Sequence, residues 1–523
     1  KGNGPLHIAC LAGQTKVVQI LLDNGANVNL KAQNGFTPLY MAAQENHVET
    51  VKLLLANGAN LQALTEDGFT ALDVAVQQDH EAVVIALLRS EKRKGFHALH
   101  DAARKDLTKP IKFLVQKGHS VDIRAPNGFT PLHIAAKYNS ANAAVLLINS
   151  GADIDALTKT YAITPLHAAS KFGHANIVTV LLQAGAKPDK PNRDGLTSLH
   201  CASREGHTII AENLLGYNSN IAARTKNGLT PLHLAVQGNH SKTISSLIDF
   251  GAPLNAVAVD GLCPIHIAAH YGNVEATEVL LAKGVDTDSR ARNGFTPLHI
   301  ACKKNREPVI HLLLKYGANI NAVNEGGQTP MHVAAYYGNV SVVVMLLQNG
   351  GSPDVTNMRG ETVLHIACRI RNIYIVRLLL RNAAAVDAKT QARETALHIA
   401  VKSKNLEMVK LLLDHGASCE NVDRNKCTPL HLAARNGDDE IVQVLFEHKP
   451  PLLELNQKGF TPLHEAAHHG HVKTVELLLH HYPSPDPPGK HGMTPLHVAS
   501  HYDHVKVALL LLNKNASIYA TTK

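Results

Sequence analysis

The 523-residue sequence contains no tryptophan and few other aromatic residues, ten Phe and twelve Tyr. It has no run of about 18 apolar residues, the length that a helix needs to cross a membrane. GxSxG and GxxxxGK[ST], which mark nucleophile and phosphate sites, are also absent, and HExxH, which marks zinc sites, occurs once, as HEAAH at 464–468. We therefore expect neither a membrane-spanning chain nor an enzyme, and no cofactor or metal ion.

Cysteine is scarce as well. The seven residues form an odd, scattered set without a CxxC pair: Cys10, Cys201, Cys263, Cys302, Cys368, Cys419 and Cys427. No signal peptide is visible at the start of the sequence. Because these thiols form neither a disulfide framework nor a zinc motif, we expect a reduced, intracellular chain.

What the sequence has in abundance is a repeat. Sixteen segments align on Thr296 of the string NGFTPLHIACKKNR (293–306). This Thr position is held by Gly4, Thr37, Thr70, His97, Thr130, Thr164, Thr197, Thr230, Cys263, Thr296, Thr329, Thr362, Thr395, Thr428, Thr461 and Thr494. Most steps are 33 residues, but Thr70 to His97 is 27 and Thr130 to Thr164 is 34. The predicted repeats are 1–33, 34–66, 67–93, 94–126, 127–160, 161–193, 194–226, 227–259, 260–292, 293–325, 326–358, 359–391, 392–424, 425–457, 458–490 and 491–523.

Each repeat predicts two short helices and a turn. Thr296 would cap the first helix, with Pro297 at its first position, where a missing N–H costs nothing. Nine residues after the Thr position stands Gly, Asn or Asp, which tolerate the left-handed backbone at a helix end. Only Arg371 and Lys404 depart from that rule. A single repeat is too small to bury its apolar face, so we predict one all-α repeat solenoid over 1–523.

The T-P-L-H-x-A motif and the 33-residue period resemble the ankyrin repeat. This resemblance implies two antiparallel helices plus a β-hairpin finger per repeat, stacked in a curved superhelix. First helices and fingers would line its concave inner groove. The strings QNGFTPLYMAAQENH (33–47) and TPLHVASHYDHVKVALLLL (494–512), and the shortened step at 89–100, are similar to the ankyrins proper. The sixteen repeats then correspond to about the third to eighteenth of that family's 24-repeat membrane-binding domain.

The resemblance also implies a function. Ankyrins are cytoplasmic adaptors at the inner face of the plasma membrane. They bind cytoplasmic tails of ion channels, anion exchangers and cell-adhesion molecules, and they link these to spectrin through regions that this chain does not contain. An autoinhibitory segment could occupy the same groove. The alternatives are an elastic tether or assembly platform of a TRP-type channel, a secreted latrotoxin-type array, and a nucleic-acid binder.

The formal charge of the chain is concentrated at the ends of the predicted first helices. We define the basic-aromatic stripe as the 32 positions that lie seven and eight residues after each Thr position. These hold ten Lys or Arg and two Glu, which leaves 41 basic and 41 acidic residues elsewhere in a chain of net charge +8. Six of the 22 Phe and Tyr lie in the stripe, where an even spread would place about one. The helix dipole also favours cations at this end, but it does not explain the aromatics.

A basic, aromatic surface fits an extended acidic peptide with apolar anchors. The predicted peptide-binding residues are Gln44, Glu45, Arg104, Lys105, Lys137, Tyr138, Lys171, Phe172, Arg204, His270, Tyr271, Lys303, Lys304, Tyr336, Tyr337, Arg369, Lys402, Arg435, His468, His469, His501 and Tyr502. Apolar residues at the predicted fingers either pack finger against finger or offer ledges to the ligand: Phe36, Phe69, Phe129, Phe295 and Phe460.

Histidine is the remaining abundant residue, with 33 copies. Fourteen occupy the fourth position of the TPLH motif, His299 among them. Helices pack roughly 8–10 Å apart, so neighbouring copies cannot share a zinc ion with bonds of about 2 Å. We predict a hydrogen bond between repeats instead. In HEAAHHGH (464–471), a pH-sensitive contact at His468 and His469 is favoured over a metal site.

Overall fold

The computed structural model of the protein describes residues 2–89 and 97–523. This part of the chain contains 32 α-helices, and its contacts divide it into two compact units, Lys1–Val259 and Asp260–Lys523. The division coincides with the predicted boundary between the eighth and ninth repeats. The shortened step at 89–100 and the boundary between 93 and 94 lie largely outside the described residues.

The first unit holds eight helix pairs in its described residues. They are α1 (Pro5–Leu11), α2 (Thr15–Asp23), α3 (Pro38–Gln44), α4 (Val48–Ala56), α5 (Ala71–Gln77), α6 (Glu81–Leu88), α7 (Ala98–Arg104), α8 (Thr108–Gln116), α9 (Pro131–Tyr138), α10 (Ala141–Asn149), α11 (Pro165–Phe172), α12 (Ala175–Gln183), α13 (Ser198–Glu205), α14 (Thr208–Gly216), α15 (Pro231–Gln237) and α16 (Ser241–Asp249).

The second unit holds eight further pairs. They are α17 (Pro264–Tyr271), α18 (Val274–Ala282), α19 (Pro297–Lys303), α20 (Glu307–Lys315), α21 (Pro330–Tyr336), α22 (Val340–Gln348), α23 (Val363–Arg369), α24 (Ile373–Arg381), α25 (Ala396–Lys402), α26 (Leu406–Asp414), α27 (Pro429–Asn436), α28 (Asp439–Phe446), α29 (Pro462–His468), α30 (Val472–His481), α31 (Pro495–His501) and α32 (Val505–Asn513). One 3₁₀ turn, Lys490–Gly492, precedes α31. The predicted fold class is confirmed, since each unit is an all-α repeat solenoid.

Packing between consecutive repeats builds the core of each unit. In α19 the residues from Pro297 to Cys302 are buried, and α20 buries Val309, Ile310 and Leu313. Helix α19 packs against α17 and α21, while α20 packs against α18. Each helix thereby covers an apolar face that its own repeat cannot bury.

The first helices end in a left-handed residue throughout. All sixteen positions nine residues after the Thr position, from Gly13 to Asp503, have positive φ. Arg371 (φ 59°) and Lys404 (φ 54°) follow the same backbone as the glycines. This position therefore requires a left-handed backbone whatever residue occupies it. Arg371 and Lys404 adopt that conformation at a steric cost of about 1–2 kcal/mol each.

The fingers are turns, and no described residue lies in a β-strand. The β-hairpin implied by the resemblance is thus not formed. In the tenth repeat the turn closes through Ala291 N–H to Phe295 O (2.9 Å), and it joins the next finger through Glu325 N–H to Asn293 O (3.2 Å). With a further bond from Gly294 N–H to Ala291 O (2.8 Å) inside the turn, these bonds are too few for a ladder. Gly294 permits this approach, because a Cβ there would lie 2.8 Å from the Glu325 nitrogen.

The single 34-residue step adds its extra residue to a finger. Thr158 N–H donates to Ile163 O across five residues, one more than in the tenth repeat. Ala162 takes a positive φ of 52° within that turn. The insertion therefore lengthens the finger and leaves α9 and α11 in register.

Candidate functional site

The basic-aromatic stripe lies at the C-terminal ends of the first helices. All 32 positions lie in the described residues, and each is exposed or half-buried. Among the predicted binding residues the exposed ones are Glu45, Tyr138, Lys171, Phe172, His270, Tyr271, Lys304, Tyr336, Tyr337, Arg369, Lys402, His469, His501 and Tyr502. The half-buried ones are Gln44, Arg104, Lys105, Lys137, Arg204, Lys303, Arg435 and His468.

Side chains at the start of the second helices hold the stripe backbone in place. His174 Nε2 donates to Lys137 O (2.9 Å), and His207 Nε2 donates to Lys171 O (3.1 Å). In the eleventh repeat Asn339 takes this place, donating from Nδ2 to Cys302 O (2.8 Å). Sequence reasoning missed this role, although the signal was present. Histidine recurs ten residues after the Thr position at His47, His80, His174, His207, His240, His471 and His504.

The stripe faces the fingers of its own repeats. We define the finger position as the residue immediately before each Thr position. Arg369 forms an ion pair with Glu361 at the finger position, and Lys402 does so with Glu394. In the fifteenth repeat the rings of Phe460 and His468 are 5.9 Å apart. The finger position and the first stripe residue, eight residues later, are therefore direct neighbours.

Lysines of the stripe contact its aromatic rings, both within a repeat and across to the next. Lys137 Nζ lies 5.3 Å from the ring centre of Tyr138 and 5.4 Å from that of Phe172. Lys303 Nζ lies 5.4 Å from the ring of Tyr337 in the following repeat. These are cation–π distances. Cationic and aromatic side chains of consecutive repeats thus contact each other in the first unit, at Lys137 and Phe172, and in the second, at Lys303 and Tyr337.

An open cleft adjoins the stripe in the tenth to twelfth repeats. Tyr336 and Tyr337 are 59% and 49% exposed, and their rings meet edge to face at 5.2 Å. The cleft has a volume of about 560 Å³. Its lining includes Phe295, Gln328, Val333, Tyr336, Tyr337, Met358 and Glu361. An apolar side chain and a hydrogen-bonding backbone can both be accommodated there.

Three cations of the stripe are neutralised by acids that lie outside the stripe. Besides the pairs at Arg369 and Lys402, Arg435 Nη2 lies 2.9 Å from the buried Glu465. Burial disfavours the charged form of Glu465, but the bonds from Arg435, with a further one from Asn456 (2.6 Å), outweigh it and lower the Glu465 pKa. The sequence count treated all ten stripe cations as equivalent, and the structure shows that they are not.

Other stripe lysines remain unpaired. No carboxylate among the described residues lies within ion-pair distance of Lys137, Lys171, Lys303 or Lys304. Arg204 is paired with its neighbour Glu205 at 3.2 Å. Lys105 likewise has no carboxylate of the described residues within that distance, so unpaired positive charge lies in the fourth, fifth, sixth and tenth repeats.

Most of the finger phenylalanines pack on their own first helix. The ring separations to the residue four positions later are 4.6 Å for Phe36–Tyr40, 5.3 Å for Phe129–His133, 5.4 Å for Phe295–His299 and 5.6 Å for Phe460–His464. Phe69 is exposed, and the other four are half-buried. Each ring leaves part of its surface beside the stripe.

The TPLH histidines form the predicted bonds between repeats. His299 Nε2 donates to Gln328 O of the next finger (2.9 Å), and its Nδ1 accepts from the Thr296 backbone N–H (3.2 Å). The prediction of inter-repeat hydrogen bonds is confirmed. Burial lowers the pKa of His299 to about 4. His299 is therefore a neutral structural group at neutral pH.

One cluster in the described residues has the composition of a metal site. Glu465, His468 and His469 each offer a ligand atom within 4.8 Å of the others. Both Glu465 oxygens already accept from the Arg435 guanidinium, at 2.9 and 3.1 Å. A cation there would face that guanidinium, so we interpret the cluster as a buried ion pair with histidines above it.

The cysteines and the helix lengths bear on two further possibilities, a reactive thiol and a membrane-spanning helix. All seven thiols are free and buried, and burial raises the pKa of Cys201 and Cys419 to about 11. Reactive thiolates need a lowered pKa, so these residues serve packing. In the described part of the chain, none of the helices combines the length and apolarity needed to cross a bilayer.

Comparison with known proteins places these features in a family. The family described as Ankyrin repeats (3 copies) matches residues 6–95, 89–158, 156–225, 199–291, 266–357, 331–423, 364–453 and 430–522.

Individual proteins match over shorter stretches. Protein phosphatase 1 regulatory subunit 12A of Mus musculus is 37% identical over 67 residues, 13% of this chain and 6% of that protein. Ankyrin-3 of Rattus norvegicus is 50% identical over 66 residues, 11% of this chain and 2% of that protein. Delta-latroinsectotoxin-Lt1a of Latrodectus tredecimguttatus is 47% identical over 64 residues, 12% of this chain and 5% of that protein. The match thus spans a small fraction of each relative's length.

Proposed function

Since this chain belongs to the ankyrin-repeat family, we propose that it is an adaptor whose basic-aromatic stripe binds extended segments of partner proteins. Ankyrin-repeat arrays are protein-binding scaffolds, and this chain is such an array. The finer proposal concerns the surface and the partner. The surface is the stripe together with the finger positions beside it. The partner is an unstructured acidic segment that carries apolar anchors.

The observation that carries the proposal is the exposure of aromatic rings next to unpaired lysines. Large exposed apolar groups flanked by polar ones mark interaction surfaces, because water contact with them is unfavourable. Here they recur in register with the repeat, at Tyr138, Phe172, Tyr271, Tyr336 and Tyr337. A ligand that follows the repeats of one unit in extended form would meet one such anchor after another.

Charge and length would add to the affinity. Unpaired lysines attract an acidic segment and speed its association. A flexible ligand loses entropy when it becomes ordered, so each contact is modest. Several contacts along one chain raise the overall affinity.

We further propose that the partners are cytoplasmic tails of membrane proteins: ion channels, anion exchangers and adhesion molecules. The similarity to a segment of Ankyrin-3 supports this, as do the strings shared with the ankyrins proper. The chain would act at the inner face of the plasma membrane. Spectrin would bind elsewhere in the full protein, and an intramolecular segment could compete for the stripe.

Fluorescence anisotropy with a panel of acidic tail peptides tests the proposal. We expect Lys303→Glu/Lys304→Glu and Tyr336→Ala/Tyr337→Ala each to lose at least about tenfold in affinity, with unchanged helix content by circular dichroism. The matched control is Lys315→Glu/Lys410→Glu, which makes the same charge change at exposed positions of second helices.

Two outcomes would contradict the proposal. Equal affinity of wild type and both stripe variants for every tail that binds would remove these residues from the site. Equal affinity for random-sequence DNA and for the best tail at physiological salt would favour nucleic-acid binding.

A further inference from the structure

The finger position changes character in the twelfth and thirteenth repeats. In most repeats it holds an apolar residue: Phe36, Phe69, Phe96, Phe129, Ile163, Leu196, Leu229, Leu262, Phe295, Cys427, Phe460 or Met493. Glutamate stands there only at Glu361 and Glu394. These two repeats therefore place an acid directly beside the stripe, whereas the other repeats place an apolar residue there or, at Asn3 and Gln328, an uncharged polar one.

Both glutamates are held against stripe cations. Glu361 is 5% exposed, pairs with Arg369 and accepts from Asn357 Nδ2 at 2.9 Å. Burial disfavours its carboxylate, but the bonds from Asn357 and Arg369 outweigh it and lower the Glu361 pKa. Glu394, half-buried, pairs with Lys402 in the same way. Both carboxylates are thus internal ligands of the cations that a peptide acid would otherwise bind.

An incoming acidic group would have to break these pairs. Displacing Glu361 from Arg369 would leave a buried carboxylate without its cation, which is strongly unfavourable. At Lys303 and Lys304 no such displacement is needed. The cleft beside Tyr336 and Tyr337 lies one repeat further along, and the Tyr337 ring that lines it is 5.4 Å from Lys303 Nζ.

We propose that Glu361 and Glu394 screen the cations of the twelfth and thirteenth repeats, and that acidic ligands of the second unit are thereby confined to the tenth and eleventh repeats. This inference rests on the proposed function of the stripe. The ligand segment would place a carboxylate on Lys303 or Lys304 and an apolar side chain in the cleft. Helices pack roughly 8–10 Å apart, which an extended chain spans in about three residues at about 3.3 Å each. The recognised pattern is therefore an acidic residue followed about three residues later by an aromatic or aliphatic one.

The test removes the two carboxylates that pair with Arg369 and Lys402. The probe is a fluorescein-labelled 15-residue peptide that carries two Glu, a Phe three residues later, and further Glu three and six residues beyond the Phe. In Glu361→Gln/Glu394→Gln, Arg369 and Lys402 are released while side-chain shape is kept. We expect about fivefold tighter binding and a steeper dependence of affinity on salt. A version of the peptide with Gln in place of the distal Glu should bind both proteins equally.

A matched control separates local from overall charge. Glu407→Gln/Glu440→Gln makes the same change in net charge at exposed positions of second helices, and we expect unchanged affinity. If the double variant is destabilised, Glu394→Gln alone, at a half-buried site, is expected to give a smaller gain.

The outcomes distinguish the inference from the proposed function. No gain in either glutamine variant, with affinity still lost in Lys303→Glu/Lys304→Glu, overturns the screening and leaves the adaptor proposal intact. No effect of any of these variants on any probe overturns both.

Discussion

The tenth and eleventh repeats differ from the twelfth and thirteenth in the availability of their charge, although their helices are alike. Lys303 and Lys304 have no acid within reach among the described residues, whereas Arg369 and Lys402 are each paired with a glutamate of their own finger. By sequence alone all four are stripe cations. The difference teaches that the formal charge of a surface and its capacity for an acidic ligand are separate quantities.

The largest expected effect is one that both regions should share. Burial lowers the pKa of His299 to about 4, and it also lowers the pKa of His365 and His398. The folded state therefore disfavours protonation. The stabilisation is fully present above the unfolded pKa of about 6.5 and is lost as pH falls toward about 4. Urea midpoints measured from pH 7 to pH 4 should fall steeply.

A matched pair of variants identifies the source of that pH dependence. His299→Gln should make it shallower, and His311→Gln, at an exposed position of α20, should leave it unchanged. Equal slopes in all three proteins would show that the buried histidines do not contribute.

The next effect separates a neutralised cation from an open one. Arg435→Met leaves Glu465, whose side chain is 0% exposed, without its cation, and should lower the free energy of unfolding by about 3 kcal/mol. Lys303→Met removes no ion pair and should change it by less than about 0.5 kcal/mol. Urea denaturation checks both, and equal effects would remove the distinction between the two kinds of cation.

Much of the fold was predictable because it depends on local rules. The Thr caps follow from the backbone chemistry of one repeat, and the 33-residue period carries the TPLH histidine bond from each repeat to the next. The availability of stripe charge was not predictable, because it depends on which side chains meet. Arg369 is paired with a residue eight positions earlier, whereas Arg435 is paired with one thirty positions later. Arg371 and Lys404 depart by residue type from the Gly, Asn or Asp expected at the end of the first helix. Their backbone is nevertheless left-handed, like that of the other repeats.

The open cations should matter for peptide affinity, and the paired cations for the free energy of unfolding. Lys303→Met/Lys304→Met is expected to weaken binding of the acidic peptide about tenfold and to leave stability unchanged. Arg369→Met/Lys402→Met is expected to lower stability and to change affinity less than about twofold, because these cations are already occupied. Anisotropy and urea denaturation on the same preparations check both halves. Similar affinity losses in the two variants would contradict the comparison.

The smallest expected effect concerns the backbone under the stripe. Arg371→Gly and Lys404→Gly should each raise the free energy of unfolding by about 1 kcal/mol, since glycine adopts positive φ without strain. The reciprocal control is Gly338→Arg at the same position of the eleventh repeat. A Cβ there would meet nothing closer than 3.7 Å, so only the backbone cost of about 1 kcal/mol is expected. A stabilising Gly338→Arg would contradict this account.

The most direct test of the account locates the bound peptide. A benzoylphenylalanine in place of the Phe of the acidic probe can be photo-cross-linked and mapped by mass spectrometry. The account predicts cross-links within 295–304 and 326–337, at the fingers and first helices of the tenth and eleventh repeats. Cross-links confined to the second helices, α20 (Glu307–Lys315) and α22 (Val340–Gln348), would contradict it.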